Sequence, residues 1–277
     1  MTTLDATISL ATGAAIPALG FGTWQIPDGA PAYDATTAAL RAGYRHIDSA
    51  RDYGNEASVG RAVRDSGLPR GEVFVTSKLP AEIKDQHKVQ ASFDQTMRLF
   101  ALDYVDLYLI HAPWPWSEIG KDCTAQNKQV WTQMEAILAS GRARAIGVSN
   151  FSVSDLQAIL DDCTVAPMVN QIRWFVGHTQ PDVVSFCEQH GIVVEAYSPL
   201  ATGRILDDPR LAAVAGHYRK TVAQVCIRYA IQHGLVALPK STHPARIAEN
   251  GAVDFVIGDD DMALLDALDG TRQPASP

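Results

Sequence analysis

Four polar side chains of different chemistry stand out because each follows an apolar stretch of the sequence. Asp48, Lys78 and His111 each lie at the end of such a stretch, and Tyr53 lies shortly after Asp48. An amine beside a carboxylate keeps its charge, and a positive charge beside a phenol lowers a phenol pKa that starts near about 10. A phenol tuned in this way is a general acid. If the fold brings the four side chains together, they can protonate a carbonyl oxygen.

Each of these side chains also has an ordinary structural explanation. An aspartate at a strand end often caps a turn, a loop tyrosine is often at the surface, a lysine is usually solvated, and a histidine near a proline often packs within its loop. Lys78 could alternatively be the Schiff-base lysine of an aldolase. The catalytic and the structural explanations are distinguished by whether the elements that carry these residues end at the same edge of the fold.

Strand-like and helix-like stretches alternate along most of the chain. Apolar residues recur at helical spacing over Val89–Phe100, and the pairs Ser152/Asp155 and Thr221/Gln224 resemble capping boxes at helix starts. Between the helices lie eight short apolar or β-branched runs that predict strands. They are Leu19–Thr23, His46–Asp48, Val73–Ser77, Val105–Ile110, Ala143–Ser149, Met168–Gln171, Val193–Tyr197 and Val236–Leu238.

This alternation predicts a parallel sheet, because parallel strands need a crossover between them. No G-x-G-x-x-G occurs, since Gly20-x-Gly22 reaches Gln25 where a third glycine would stand, and no P-loop motif is present. We therefore predict an α/β fold, a (β/α)8 TIM barrel preceded by a small β-hairpin over Thr7–Ile16, as one domain spanning residues 1–277. In such a barrel the strand ends that carry the four polar residues share one rim.

Composition limits the partners. The chain has 277 residues, 47% hydrophobic and 19% charged, with 23 basic against 31 acidic residues and a net charge of -8. That charge repels nucleic acids and anionic membranes, so we expect neither as a partner. The four cysteines lack metal-site spacing, which predicts reduced thiols, no metal and a cytoplasmic location. We expect a monomer acting on a small molecule.

Four motifs resemble those of the aldo-keto reductase family. They are Gly43-Tyr-Arg-His-Ile-Asp48-Ser-Ala with Glu56, Val59 and Gly60, then Gly20–Trp24, Gly147–Phe151 and Leu238–Ser241. The resemblance extends from the hairpin to about Asn250. Within the family, the chain is similar to compact microbial members of the 2,5-diketogluconate reductase type.

The resemblance implies that Asp48, Tyr53, Lys78 and His111 form a catalytic tetrad. Tyr53 would donate the proton, Lys78 would depress its pKa, Asp48 would hold Lys78, and His111 would orient the carbonyl. Hydride would come from NADPH. The implied cofactor contacts comprise Thr23; Ser149, Asn150 and Gln171 for the carboxamide; Tyr197 for ring stacking; Ser198 and Leu200 for the pyrophosphate; and Lys240, Ser241, Thr242, Arg246, Glu249 and Asn250 for the 2'-phosphate and adenine. Helix capping and ordinary surface charge are the alternative explanations for these residues.

Departures from the family pattern concern the substrate. Ala112 follows His111 where many members have tryptophan, and Arg173 replaces a common glutamate. Trp24 and Trp114 are candidate substrate contacts, with Trp116 as a further aromatic wall, and the tail beyond Asp269 is short. These features predict NADPH-dependent reduction of small aldehydes, α-dicarbonyls and keto sugars to alcohols. The alternative is a nicotinamide-binding auxiliary or sensor subunit built on the same barrel.

Overall fold

A computed structural model describes residues 3–268 of the chain. It begins with an antiparallel hairpin of β1 (Thr7–Ser9) and β2 (Ala15–Pro17), in which Ile8 lies opposite Ile16. Gly13, with φ of 80°, lies in the turn between them, in the left-handed region that glycine adopts without steric cost. The predicted hairpin is confirmed.

Eight parallel strands follow and form one sheet in sequence order. The sheet closes because Leu19 forms a parallel bridge with Ala237, and the amide of Gly20 donates to the Ala237 carbonyl at 2.9 Å. The predicted (β/α)8 barrel is therefore confirmed. Its strands are β3 (Phe21–Gly22), β4 (His46–Asp48), β5 (Phe74–Leu79), β6 (Val105–Ile110), β7 (Ala143–Ser149), β8 (Val169–Arg173), β9 (Val193–Tyr197) and β10 (Val236–Leu238).

A helix follows each barrel strand, with α7 added before α8 and α10 at the end of the described residues. Ser152 and Asp155 form a capping box at the start of α5, and Thr221 and Gln224 form another at the start of α8, as predicted. The helices are α1 (Ala30–Arg41), α2 (Glu56–Asp65), α3 (Val89–Phe100), α4 (Thr124–Ala139), α5 (Val153–Leu160), α6 (Pro181–Gln189), α7 (Pro209–Tyr218), α8 (Val222–Gln232), α9 (Pro244–Gly251) and α10 (Asp259–Asp266). Short 3-10 turns cover Thr3–Asp5, Arg51–Tyr53, Arg70–Glu72, Gln86–Lys88, Trp116–Glu118 and Ala201–Gly203.

Three strand boundaries differ from the predicted ones. The first strand is only Phe21–Gly22, because Leu19 makes an isolated bridge. The third continues through Lys78 to Leu79, because both residues pair with β6. Lys78 therefore lies inside a strand, where its backbone pairs with Leu109 of β6. The sixth runs to Arg173, which pairs with Tyr197 of β9.

The outer helices pack closely on the barrel and on each other. Val89, Phe93, Met97 and Phe100 of α3 are all buried, which confirms the predicted apolar stripe. A side chain at Gly60 of α2 would collide with the backbone of Phe100, so only glycine permits this contact between α2 and α3. Across residues 3–268, no helix combines the length and the apolar character needed to cross a bilayer.

Candidate active site

The four residues of the predicted tetrad come from three adjacent strands and one short turn. β4 ends at Asp48, the turn Arg51–Tyr53 follows it, β5 carries Lys78, and His111 comes directly after β6. The Lys78 ammonium donates to the two carboxylate oxygens of Asp48 at 2.9 and 2.8 Å. It also donates to the hydroxyl of Tyr53 at 3.2 Å. The barrel thus brings a carboxylate, an amine and a phenol into direct contact.

Lys78 is a buried ammonium with a full set of acceptors. Its side chain is 0% exposed, and it also donates to the carbonyl of Ser49 at 2.9 Å. Burial alone would lower the pKa of Lys78, but Asp48 and Tyr53 outweigh burial and raise it. A Schiff-base lysine needs a neutral amine with a free lone pair. This environment therefore disfavours the aldolase alternative.

Lys78 lowers the pKa of Tyr53, as expected, but the net shift of the Tyr53 pKa is upward and not toward neutral pH. Burial raises the pKa of Tyr53 more than the nearby Lys78 charge lowers it, and Asp48 adds to the rise. Tyr53 consequently keeps its proton at neutral pH. Because Lys78 donates to the Tyr53 oxygen, the hydroxyl of Tyr53 can donate its own proton to another acceptor. The arrangement suits a proton donor whose conjugate base would lie next to an ammonium ion.

His111 packs beside Tyr53 and is paired with a residue that sequence reasoning missed. The two rings meet edge to face with centroids 5.6 Å apart. Nδ1 of His111 lies 3.0 Å from Oδ2 of Asp52, in the same turn as Tyr53. Burial lowers the pKa of His111, against the effect of the Asp52 hydrogen bond. No feature of the sequence links positions 52 and 111, which become neighbours only when β4 and β6 flank β5.

A polar layer lies inside the barrel behind Asp48. The side-chain amide of Gln171 donates to Oδ2 of Asp48 at 2.9 Å and to Oε2 of Glu195 at 2.9 Å. Glu195 is fully buried, and burial followed by the nearby Asp48 charge raises its pKa to about 8. The glutamate within the apolar run Val193–Tyr197 is the sequence feature that indicates this layer.

Three of the predicted carboxamide and stacking residues join the same rim. The Asn150 amide donates to the carbonyl of His111 and to the hydroxyl of Ser149, both at 3.0 Å. The Tyr197 hydroxyl donates to Oδ1 of Asn150 at 2.8 Å. Asn150 has φ of 62°, a left-handed conformation that turns the chain at the end of β7. This group of amides and hydroxyls matches the hydrogen-bonding needs of a carboxamide.

Other predicted cofactor residues occupy the neighbouring loops. Thr23 is buried and donates to the carbonyl of Asp48 at 3.0 Å, so its hydroxyl supports the tetrad strand. Ser198 and Leu200 lie in the loop after β9, where Ser198 has φ of 52°. Within residues 3–268, the side chain of Ser198 makes no hydrogen bond to a tetrad residue, and that of Leu200 has no hydrogen-bonding group.

The predicted phosphate residues form a second group after β10. Lys240 and Thr242 are exposed, Ser241 and Asn250 are buried, and Arg246 is exposed on α9. Within residues 3–268, neither Lys240 nor Arg246 makes an ion pair or hydrogen bond. Glu249 is already engaged, because it accepts a hydrogen bond from Thr221 at 2.9 Å. Two cations therefore remain available for an anion.

The aromatic residues differ in how closely they approach the tetrad. Trp116, 39% exposed, packs edge-on against His111 with centroids 5.3 Å apart, and Trp114 packs against Trp116 at 5.0 Å. Trp24 is 44% exposed on the loop after β3. Trp116 is thus the tryptophan that contacts the tetrad directly. The predicted short tail beyond Asp269 lies outside the described residues, among which no cluster of metal-binding side chains occurs.

Comparisons with known proteins agree with the fold. The aldo/keto reductase family model matches residues 18–270. A glyoxal reductase of Bacillus subtilis is 40% identical over 268 residues, covering 96% of this chain and 94% of that protein. An aldehyde reductase of Saccharomyces cerevisiae is 38% identical over 287 residues, covering 95% of this chain and 91% of its own.

Solved structures give the same result. An aldo/keto reductase from Brucella melitensis superposes with a TM-score of 0.89 at 38% identity, covering 95% of this chain and 99% of that chain. The aldose reductase of Schistosoma japonicum superposes with a TM-score of 0.88 at 33% identity, covering 95% and 92%. With a family model that spans most of its length and relatives that match it nearly end to end, the chain belongs to the aldo/keto reductase family, a family of oxidoreductases.

Proposed function

We propose that this protein reduces small carbonyl compounds to alcohols with NADPH, using Tyr53 as the proton donor. The observation that carries the proposal is the contact of the Tyr53 hydroxyl with the buried Lys78–Asp48 pair. The names of the glyoxal and aldehyde reductases among its relatives support the same reaction class. Four complementary groups at one rim favour catalysis over a sensor role, which needs only binding.

The chain's own residues perform the proton half of the reaction. The substrate oxygen accepts the proton of Tyr53, and the phenolate that results is stabilised by the ammonium of Lys78. Asp48 holds Lys78 in place and keeps it charged. His111 lies beside Tyr53 at the edge of this site and would contact the same oxygen.

NADPH, when bound, supplies the hydride that reduces the carbonyl carbon. The rim fits the nicotinamide because Ser149 and Asn150 present amide and hydroxyl groups beside His111, with the partly buried ring of Tyr197 adjacent. Gln171 would contribute from inside the barrel, while Thr23, Ser198 and Leu200 line the neighbouring loops. The unpaired cations Lys240 and Arg246 fit the 2'-phosphate, with Ser241, Thr242, Glu249 and Asn250 around them.

The proposed substrate pocket has aromatic walls. Trp114 and Trp116 pack together next to His111, Trp24 is exposed on the neighbouring loop, and Ala112 adds no bulk. An open aromatic pocket discriminates weakly among substrates, because each methylene contributes only about 1–3 kcal/mol. We therefore infer broad activity on small aldehydes and α-dicarbonyls, with keto sugars as further candidates.

The direct test is the oxidation of NADPH by the purified protein in the presence of glyoxal, methylglyoxal and benzaldehyde. The proposal expects carbonyl-dependent loss of absorbance at the nicotinamide band and formation of the corresponding alcohol. Tight NADPH binding without turnover on any carbonyl compound would instead support the sensor alternative. Absence of both binding and turnover would reject both functions.

Cofactor preference is tested through Arg246. Charge-assisted hydrogen bonds to the 2'-phosphate contribute about 1.5–3 kcal/mol each, or roughly ten- to a hundredfold in affinity. Arg246→Ala should weaken NADPH binding by that factor and leave NADH binding unchanged, as measured by fluorescence titration. Arg98→Ala, an exposed arginine on α3, is the matched control. Equal affinity of the unaltered protein for NADH and NADPH would count against the assignment.

A further inference from the structure

Asp52 is an acidic residue at the site that the proposed mechanism does not use. Its side chain is 30% exposed, whereas that of its partner His111 is 8% exposed, and Oδ2 lies 3.0 Å from Nδ1 of the imidazole. Asp52 immediately precedes Tyr53 in the turn Arg51–Tyr53. One turn thus supplies both the proton donor and a partner for the orienting histidine.

The His111 ring has little freedom to turn. Tyr53 packs against it with centroids 5.6 Å apart, and Trp116 packs against it at 5.3 Å with an interplanar angle of 90°. The Nδ1 edge faces Asp52, and Nε2 makes no hydrogen bond within the part of the chain that the structure describes. The nitrogen left for a substrate oxygen is therefore Nε2.

Building on the proposed carbonyl reduction, we propose that Asp52 is a positioning residue that fixes the tautomer of His111 and makes the doubly protonated ring the donor to the substrate oxygen. A carboxylate only accepts hydrogen bonds, so Nδ1 must carry a proton when it faces Asp52. In the neutral ring Nε2 then has a lone pair and repels a carbonyl oxygen. A second proton on Nε2 converts it into a donor.

The surrounding charges determine the pH range in which His111 carries this second proton. Asp52 stays ionised, because although its burial raises the pKa, the hydrogen bond from His111 and its other donors lower it further. Burial lowers the pKa of His111, and Lys78 lowers it as well, whereas Asp52 and Asp48 raise it. The donor form of His111 is therefore a minority at neutral pH and grows as the pH falls. Tyr53 is the remaining titratable group in contact with the ring.

The tautomer can be observed directly in the intact protein. Two-bond nitrogen–proton correlation spectra of nitrogen-15-labelled protein, with and without NADPH, distinguish Nδ1–H from Nε2–H, and His111→Gln assigns the signal. We expect Nδ1–H in the neutral ring of the unaltered protein and Nε2–H in Asp52→Leu. Finding Nε2–H in the unaltered protein would overturn the proposal without depending on any variant.

Kinetics provide the second readout. For a small uncharged aldehyde, kcat/KM should fall as pH rises through the His111 titration, by up to about tenfold per pH unit. Asp52→Leu should lose this dependence, because its ring can take the Nε2–H tautomer. Asp85→Asn is the matched control, since the Asp85 side chain accepts from the His87 backbone amide at an exposed turn. An unchanged pH profile in Asp52→Leu would reject the role of Asp52.

The outcomes separate this proposal from the proposed function. If the unaltered protein reduces carbonyl compounds and loses activity in Tyr53→Phe, the function stands whatever Asp52 does. If Asp52→Leu then keeps the Nδ1–H tautomer and the same pH profile, the Asp52 proposal alone is wrong. An unchanged NADPH affinity and a cooperative thermal unfolding transition in Asp52→Leu show that any change in the profile does not arise from misfolding.

Discussion

The chemistry of the site depends on one buried ion pair. Lys78 is 0% exposed and Asp48 5%, and each carries a charge that would be costly to bury alone. Together with the Ser49 carbonyl and the Tyr53 hydroxyl, they satisfy every donor of the ammonium. The pair therefore holds a positive charge next to Tyr53 without exposing it to water. In the proposed mechanism this charge would stabilise the Tyr53 phenolate.

Removing both partners of this pair should cost less than the sum of removing each partner alone. We expect Lys78→Met and Asp48→Leu each to lower the free energy of unfolding by about 3–5 kcal/mol, because each leaves an uncompensated buried charge. The double variant should lose clearly less than the sum of the two. Urea unfolding monitored by circular dichroism measures the three values, and strict additivity would contradict the interpretation.

At the scale of elements, the loop after β6 is fastened from two directions. The Lys84 ammonium donates to the carbonyl of Ala112 at 2.7 Å and to Oδ1 of Asn127 at 3.0 Å. The Asn127 amide, from α4, donates to the carbonyl of Pro113 at 2.7 Å. These bonds set where the loop carries Trp114. Burial lowers the pKa of Lys84 to about 8, which reflects how enclosed this anchor is.

Loosening that anchor should affect the substrate more than the cofactor. Asn127→Leu leaves the Pro113 carbonyl unpaired, a loss of about 1–3 kcal/mol, so the loop should shift and the KM for aldehydes should rise several-fold. NADPH affinity should stay constant, because the proposed cofactor residues lie on other segments of the chain. Thr132→Ala, on the exposed face of α4, is the control. A raised Kd for NADPH with an unchanged KM for aldehydes would contradict this role of the loop after β6.

Local features of the elements were predictable, and the family resemblance implied the contacts among Asp48, Tyr53 and Lys78, whereas other contacts across the barrel were not predicted. The capping boxes at Ser152 and Thr221 and the stripe along α3 depend on residues three or four positions apart, which the sequence displays directly. The Asp52–His111 contact joins residues 59 positions apart, and the Gln171–Asp48 contact joins residues 123 apart. Such pairs depend on strand tilt and register, which no local pattern encodes.

At the scale of the whole molecule, the barrel interior contains an acid and a base whose pKa values are shifted in opposite directions. Burial raises the pKa of Glu195 to about 8 and lowers the pKa of His46 to about 4. Their side chains lie 3.6 Å apart inside the barrel. Both therefore favour the neutral form at physiological pH, which is how the fold accommodates them beneath the charged pair Asp48–Lys78.

These responses predict how stability varies with pH. Folded Glu195 holds its proton more tightly than the unfolded chain, so its contribution is lost as pH rises from about 4.3 to 8. Folded His46 resists protonation, so stability is lost as pH falls below about 6.5. Between about pH 6.5 and 8, Glu195 is the one of these two residues whose titration changes the free energy of unfolding. We expect Glu195→Gln to flatten the decline in unfolding free energy over that interval, as urea titrations would measure. Equal slopes in both proteins would contradict this account of the interior.

The central claim, that Tyr53 donates the proton in carbonyl reduction, is tested most directly by single-turnover kinetics of Tyr53→Phe. This change keeps the ring and removes the hydroxyl, so the rate of NADPH oxidation by methylglyoxal should fall by at least about a hundredfold. NADPH affinity should change little. Tyr104→Phe, a half-buried phenol preceding β6, serves as the matched control and should keep the full rate. A Tyr53→Phe protein that turns over at the rate of the unaltered enzyme would contradict the mechanism.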